Sequence, residues 1–547
     1  MKQHGGQSIV DVLQKEGVKK IFGVPGESYL NVLDAIYEQE QIEFISTRQE
    51  GGASFMAEGY AKATGDVGVC MATRGPGATN LSIGIHTAQQ DSTPLVALIG
   101  QVERPFKYRE AFQEVNYLSF FDDLCKWVVE IDDVKRIPEL LHRAFHIARS
   151  GRPGPVVVSL PEDMQDDFIE EVLYEPIKLG AVLPDENLVK DISQQLSEAK
   201  KPVIIAGGGV ILSNGTDNLV ELSEKLDIPV VTAFRRFHAF PNDHPNYIGT
   251  LGIGARESLL EYIYNSDLVL ALGTKFSQMT TADYTLLNKE SKLIHVDISP
   301  DVIGRVYNSS TPVVADVNAF LESLLSVVNA EEQADRAELV KSVNKDYVEF
   351  STINESEQAE FAEMKSILNY IQKELPTDTI ITSDAGNFFS WISRYYRFIE
   401  EGMYLGPTSG AMGYGMPSAI GAKLAHPDRH VFSFSGDGGY MMTLQEFETA
   451  VRYNVPIIAV VVNNNLYGTI HAHQERKFPN RSIAIDLTNP DFTELAKNFG
   501  GHGEKVTNND DIAGAIQRAI EAKGPALIEV ITNPEILSAS HEASLEK

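Results

Sequence analysis

The sequence predicts an α/β protein of three doubly wound parallel-sheet units, with the first and third related. Short β-branched runs ending in glycine recur along it, among them KKIFGVPG (19–26), VGVCMATRGPG (67–77), PVIIAGGG (202–209) and IIAVVVNNN (457–465). Helical patterns such as SIVDVLQKEG, LLHRAFHIARSG and LQEFETAVRYN lie between many of these runs. Apolar strands alternating with helices imply parallel sheets, because each crossover lays a helix over a sheet face. Two stretches break the alternation: EVLYEPIKLGAVLPDENL around 171–190, and the charged, partly helical segment 329–358. Cutting there leaves units of about 1–175, 190–328 and 359–547.

Composition narrows the function. A hydrophobic content of 43% is enough for several buried cores. The formal net charge of −30 argues against nucleic acid and anionic membranes as main partners, while leaving room for a locally cationic or metal-bearing site. Cys70 and Cys125 read as buried free thiols in a reducing compartment. The N-terminus lacks the apolar stretch of a secretion signal, and no run approaches a membrane span, so a cytoplasmic protein is expected.

In the first unit, GYAKATGDVGVCMATRGPG (59–77) runs helix end, turn, strand, glycine turn. In the third, GAKLAHPDRHVFSFSGDGG (421–439) does the same, which suggests one fold used twice. The middle unit has AGGGV (206–210) after a strand and IHVDISP (294–300) on a later one. The full dinucleotide glycine spacing is absent there, and close strand-to-helix packing accounts for these glycines equally well.

The third unit carries the most chemistry. Asp437 ends one apolar strand, and Asn463, Asn464 and Asn465 end the next. Carboxyl ends of parallel strands are where ligands bind. One carboxylate, one amide oxygen and a backbone carbonyl form a hard-oxygen set suited to Mg²⁺. The helix start near Gly439 adds N–H donors for an anion. An acid inside a phosphate-cradling turn makes sense if it holds the cation between them. The alternative is a helix cap at Asp437 and a simple turn at the asparagines.

With GDG at 436–438 and the paired asparagine 27 residues after Asp437, the chain resembles the thiamine-diphosphate enzymes. The resemblance extends through FISTRQEGGASFMAEGYAKATG (44–65), ATRGPGATN (72–80), QDSTPLVALIG (90–100), AFQE (111–114), GRPGPVVVSLP (151–161) and GAMGYGMPSAIGAKLA (410–425). It covers essentially the whole chain and is strongest with acetolactate (acetohydroxyacid) synthase catalytic subunits. It implies pyrimidine-binding, central and diphosphate-binding domains, thiamine diphosphate with Mg²⁺, and a homodimer or homotetramer with active sites between subunits.

By that resemblance, Glu50 would hydrogen-bond the cofactor's pyrimidine nitrogen and promote loss of the thiazolium C2 proton. The Gly410 carbonyl would accept from the 4′-amino group, and Met412 would support the bent cofactor. Asp437, Asn464 and the Leu466 carbonyl would hold Mg²⁺. Gly436, Gly438, Gly439, Tyr440, Tyr467 and Gly468 would line the diphosphate. Phe112, Gln113 and Lys126 match positions near the synthase substrate channel, with Gln113 and Lys126 as catalytic candidates. The implied reaction is decarboxylation of a pyruvate-like 2-oxo acid with carboligation to an acetolactate-type product. The alternative is a non-ligating decarboxylase or aldehyde lyase.

Three departures bear on that reading. His473 stands where the synthases carry a tryptophan that selects the second oxo acid, and His471 lies close by. The charged flavin segment of the synthases is replaced by LGTKFSQMTTADYTLL (272–287), so FAD is not expected. Glu27 and Ser28 occupy a position that is small in the synthases, and a Glu27 facing the cofactor would disfavour a second anionic substrate.

Overall fold

The computed structural model describes residues 2–172, 175–329, 334–354, 360–399 and 402–545. Three six-stranded sheets, each parallel throughout, follow one another along the chain. Across the first sheet the strands are Glu43–Ser46, Lys20–Gly23, Gly68–Ala72, Leu95–Gln101, Pro155–Pro161 and Trp127–Glu130. Across the third they are Met403–Leu405, Ile380–Ser383, Val431–Gly436, Ile458–Asn463, Ala526–Ile531 and His502–Val506. Counted along the chain, both sheets have the order 2-1-3-4-6-5. This shared order makes the first and third units two copies of one topology, as the sequence predicts.

The middle sheet has the order 3-2-1-4-5-6: Tyr247–Thr250, Val230–Thr232, Pro202–Ala206, Leu268–Leu272, Lys292–Asp297 and Thr311–Val314. That is the dinucleotide-fold order, with its switch point between the first and fourth strands. The central strands of all three sheets are apolar along their length and buried on both faces, as helix-covered parallel strands must be.

Of the two expected connections, residues 173–174 and residues 330–333 and 355–358 lie outside the described residues, as do 359, 400–401 and 546–547 of the third unit. The described part of the second connection is the helix Ala334–Ser351, which docks on the middle unit. Its buried Arg336 donates to the carbonyls of Ala199, Leu226 and Leu196, and Tyr347 packs edge-on against Tyr247.

The first and third units share a core. One apolar cluster runs from Phe22, Ile45 and Ala97 through Met56 and Tyr60 to Met416, Ile420 and Val461. At its centre the helices Glu50–Thr64 and Gly415–Ala425 lie against each other. They are equivalent elements, each preceding the third strand of its unit. Small residues let the backbones touch: a Cβ on Gly59 would sit 2.6 Å from the Ser418 carbonyl oxygen, and one on Gly421 would strike the Met56 carbonyl.

Candidate active site

The turn at the end of Val431–Gly436 leads directly into the short helix Asp437–Thr443. Asp437 is 2% exposed. Its carboxylate accepts from the Gly438 amide (3.0 Å) and from Asn489 Nδ2 (2.7 Å). Burial raises its pKa above the usual carboxylate range, against the lowering effect of these bonds. Among the described residues no Lys, Arg or His pairs with it. A buried carboxylate with neutral neighbours is suited to a cation from solution.

The two glycines after Asp437 are required by close packing. A Cβ on Gly438 would lie 2.5 Å from the Tyr467 ring, and one on Gly439 would strike Asp384 Oδ2. Asp384 follows the neighbouring strand Ile380–Ser383 and is fully buried. It accepts from the Gly415 amide (2.5 Å), and burial pushes its carboxyl up to about 6.

These elements surround a cavity of about 490 Å³. Gly410, Met412, Gly436, Asp437, Gly438, Gly439, Asn464, Leu466, Tyr467 and Gly468 all line it. The structure thus brings together ten of the residues expected at the cofactor. Asn464 Oδ1 accepts from the Leu466 amide (3.2 Å), which folds the asparagine run over the turn. Phe361, Phe388, Trp391, Ile470 and Leu537 supply apolar wall. Tyr440 instead turns into the core, edge-on against Phe492.

Two residues at this site escaped the sequence reading. Asn489 bridges Asp437, Asn463 (3.0 Å) and Asn465 (3.1 Å) with its side-chain amide. It comes from an irregular loop and has no periodic signal. Asn387 lines the cavity, with Oδ1 accepting from Thr469 (2.7 Å) and Nδ2 buried without a partner among the described residues. An unpaired buried N–H donor beside a glycine turn and a helix start is suited to a phosphate oxygen. The signal for it was present: SDAGN follows an apolar strand, where the strand-end rule applies. The donor set and the lone carboxylate together fit a diphosphate held through a divalent ion.

Glu50 does not line this cavity. It opens the helix Glu50–Thr64, whose cap is the Gln49 side chain accepting from the Gly52 amide (3.1 Å). Its Oε2 accepts from Asn80 Nδ2 (2.9 Å) and its Oε1 faces Gly77. Gln113 packs on Gly75, in the turn just before Gly77, so the fold gathers Glu50 and Gln113 at one sheet edge. Phe112 is 75% exposed beside them. Arg74, in the same turn, pairs with Glu27 (2.6 Å) and Glu162 (3.0 Å), so the Glu27 charge is offset. Ser28 is buried against Thr73 (2.9 Å).

Lys126 is not brought to that edge. It precedes the strand Trp127–Glu130 and so lies at the opposite, amino end of the sheet. Its ammonium donates to the carbonyls of Ile147 (2.5 Å) and Ser150 (2.7 Å), closing the C-terminal end of the helix Ile137–Arg149. Burial, then the nearby Arg152, lowers it to about 8. His473 stands on the exposed face of the helix Gly468–Lys477, and His471 Nδ1 is tied to Ser482 Oγ (3.0 Å). Neither lines the cavity.

The loop carrying Gly410 and Met412 is held from outside the third unit. Asp91 accepts from the Thr408 amide (3.1 Å), from Lys62 (2.7 Å) and from Arg236 of the middle unit (3.0 Å). Burial alone would raise Asp91, but Lys62 and Arg236 hold it well below the usual range. Beside it, a second cavity of about 570 Å³ opens at the middle sheet's switch point, lined by Gly208, Gly209, Lys275 and Arg152 among others.

Comparison with known proteins follows the three units. The Thiamine pyrophosphate enzyme N-terminal TPP binding domain matches residues 3–120, its central domain 189–324, and its C-terminal TPP binding domain 384–530. The "Probable acetolactate synthase large subunit" of Methanocaldococcus jannaschii is 35% identical, covering 97% of this chain and 92% of the relative. The Escherichia coli acetolactate synthase isozyme 2 large subunit is 32% identical, covering 96% and 95%. The Corynebacterium glutamicum acetolactate synthase large subunit is 32% identical, covering 97% and 87%.

Proposed function

Because this chain belongs to the thiamine pyrophosphate enzymes, we propose that it decarboxylates a pyruvate-like 2-oxo acid and ligates the remaining fragment to a second carbonyl, giving an acetolactate-type product. The observation that carries the reading is the cavity around Asp437. A single cavity gathers ten expected cofactor neighbours around a buried carboxylate that no Lys, Arg or His among the described residues pairs with. The names of the relatives support the acetolactate product.

Asp437 and Asn464 through their side chains, and Leu466 through its carbonyl, would hold Mg²⁺. Asn387 Nδ2 and the amides at the start of Asp437–Thr443 would hold the diphosphate. Thiamine diphosphate, when bound, supplies an electron sink for the charge left as carbon dioxide departs. The Gly410 carbonyl would accept a hydrogen bond from its amino group, and Met412 would pack against it. Glu50 would share a proton with the pyrimidine nitrogen, and Gln113 would bind substrate beside it.

Glu50 lies on another edge from the cavity of its own chain, so a homodimer or homotetramer is proposed, with Glu50 of one copy facing the Asp437 cavity of another. Exposed apolar side chains at both places, Phe112 beside Gln113 and Met441 and Met442 after the glycine turn, support burial against a second copy. No helix among the described residues is long and apolar enough to cross a membrane, and a cytoplasmic setting is proposed. The reading includes no flavin, and an absorbance spectrum of the purified protein checks that point.

The deciding experiment incubates the protein with thiamine diphosphate, Mg²⁺ and a panel of 2-oxo acids and identifies the products. Acetolactate-type products from pyruvate are expected. Acetaldehyde alone would replace ligation with plain decarboxylation, and no product from any 2-oxo acid would overturn the proposal.

A further inference from the structure

The residues leading into Glu50 are gripped by the third unit of the same chain. The hydrogen-bonded links come from the helix Glu446–Arg452 and the following Tyr453. Tyr453 Oη accepts from the Ser46 amide (2.8 Å) and donates to the Phe44 carbonyl (3.3 Å). The Arg48 guanidinium pairs with Glu448 (2.7 Å). Glu446, which is fully buried, accepts the Arg48 amide with both carboxylate oxygens (3.1 and 3.2 Å). Thr449 Oγ1 donates to the same carboxylate (2.7 Å) and fixes its rotamer.

The fit at Glu446 is close. A Cβ on Gly52 would lie 2.6 Å from Glu446 Oε1, so the carboxylate sits on the first turn of the helix that Glu50 opens. A buried carboxylate is costly unless its hydrogen bonds are satisfied. Here they are satisfied by the Thr449 hydroxyl and by backbone N–H next to Glu50, with no lysine or arginine among the described residues paired to it. Moving Glu446 therefore moves the strand-to-helix turn that aims Glu50.

We propose that Glu446 is a positioning residue for Glu50, setting the direction in which that carboxylate is presented. This rests on the role given to Glu50 above. Glu446 is fully buried and acts on Glu50 through the backbone of residues 48–49. Its helix follows the one that Asp437 opens, so the chain that presents Glu50 holds it with the helix after its own glycine turn. A misaim of about 1 Å is enough to slow a proton transfer on the order of a hundredfold.

The test compares Glu446→Gln, which keeps the shape but puts an N–H₂ against the Arg48 amide, with Glu50→Gln and the double variant. Hydrogen–deuterium exchange of the cofactor-free protein is read first. In Glu446→Gln, protection should fall by about tenfold or more over residues 46–52 and be unchanged over 431–436. Exchange of the thiamine diphosphate C2 proton in the presence of Mg²⁺ is read next. It should slow at least tenfold in Glu446→Gln with cofactor affinity within about twofold of wild type, and the double variant should be no slower than Glu50→Gln.

Unchanged C2 exchange in Glu446→Gln, or independent multiplying losses in the double variant, would overturn the proposal. If Glu446→Gln does not fold, Tyr453→Phe carries the same measurements with smaller changes in the same direction, and unchanged exchange there overturns it too. A wild type that does not accelerate C2 exchange overturns the role of Glu50 itself, and the proposal with it.

Discussion

The first and third units share a sheet order and even the helix by which they meet, yet the turn after the third strand differs in chemistry. In the first it reads Thr73-Arg74-Gly75-Pro76, and in the third Gly436-Asp437-Gly438-Gly439. Pro76 has no N–H, Gly75 has φ 61°, and Arg74 is already paired to two carboxylates. That turn has little to offer an anion. The third unit keeps its amides and adds a buried carboxylate that no Lys, Arg or His among the described residues pairs with. On the proposed reading, one scaffold is divided into a proton-handling copy and an anion-and-metal copy by a few residues at one strand end.

The sharpest way to break this division is Glu50→Gln. It should lower turnover by roughly 10²–10⁴-fold, while calorimetry shows the cofactor bound almost as well. Equal losses of turnover and affinity would place Glu50 on the binding side. Asp437→Ala should do the reverse, weakening Mg²⁺-dependent diphosphate binding by about a hundredfold, and unchanged affinity in chelator would remove the metal role.

The seam between the two copies makes a pH prediction. Burial raises Glu446 from 4.5 to about 7, so the native state binds more protons than the unfolded chain between those values. Its contribution is therefore most favourable at or below about pH 4.5 and is lost as pH rises toward 7, by up to about 3 kcal/mol. Denaturant titrations of wild type and Glu446→Gln should diverge in slope across that window, with Glu448 and Arg48 paired in both. The smallest effect is expected from Gly421→Ala. It puts a methyl against the Met56 carbonyl and should cost about 1–2 kcal/mol net of the helix-propensity gain, read as a shift in unfolding midpoint.

Much of the site was legible in the chain because its chemistry is local. Asp437, Gly438 and Gly439 are contiguous, and Asn464 and Leu466 follow the adjacent strand Ile458–Asn463, so strand-end geometry brings them together. Lys126 was less legible: periodicity places it beside a strand, but only the tertiary fold shows which end of the sheet it occupies and that helix carbonyls engage its charge. Asn489 was not legible at all, since it reaches Asp437 across 52 residues from a loop.

Three α/β units, the duplication of the first in the third, and the identity of the glycine-turn residues can be read from the chain directly. These follow from periodicity and strand-end chemistry, which are properties of short segments. Folding alone brings ten expected cofactor neighbours into one cavity, leaves Glu50 apart from it, and sets Glu446, 396 positions along the chain, against the turn before Glu50. Side chains so far apart meet only when two sheets pack through their equivalent helices, and no local pattern encodes that packing.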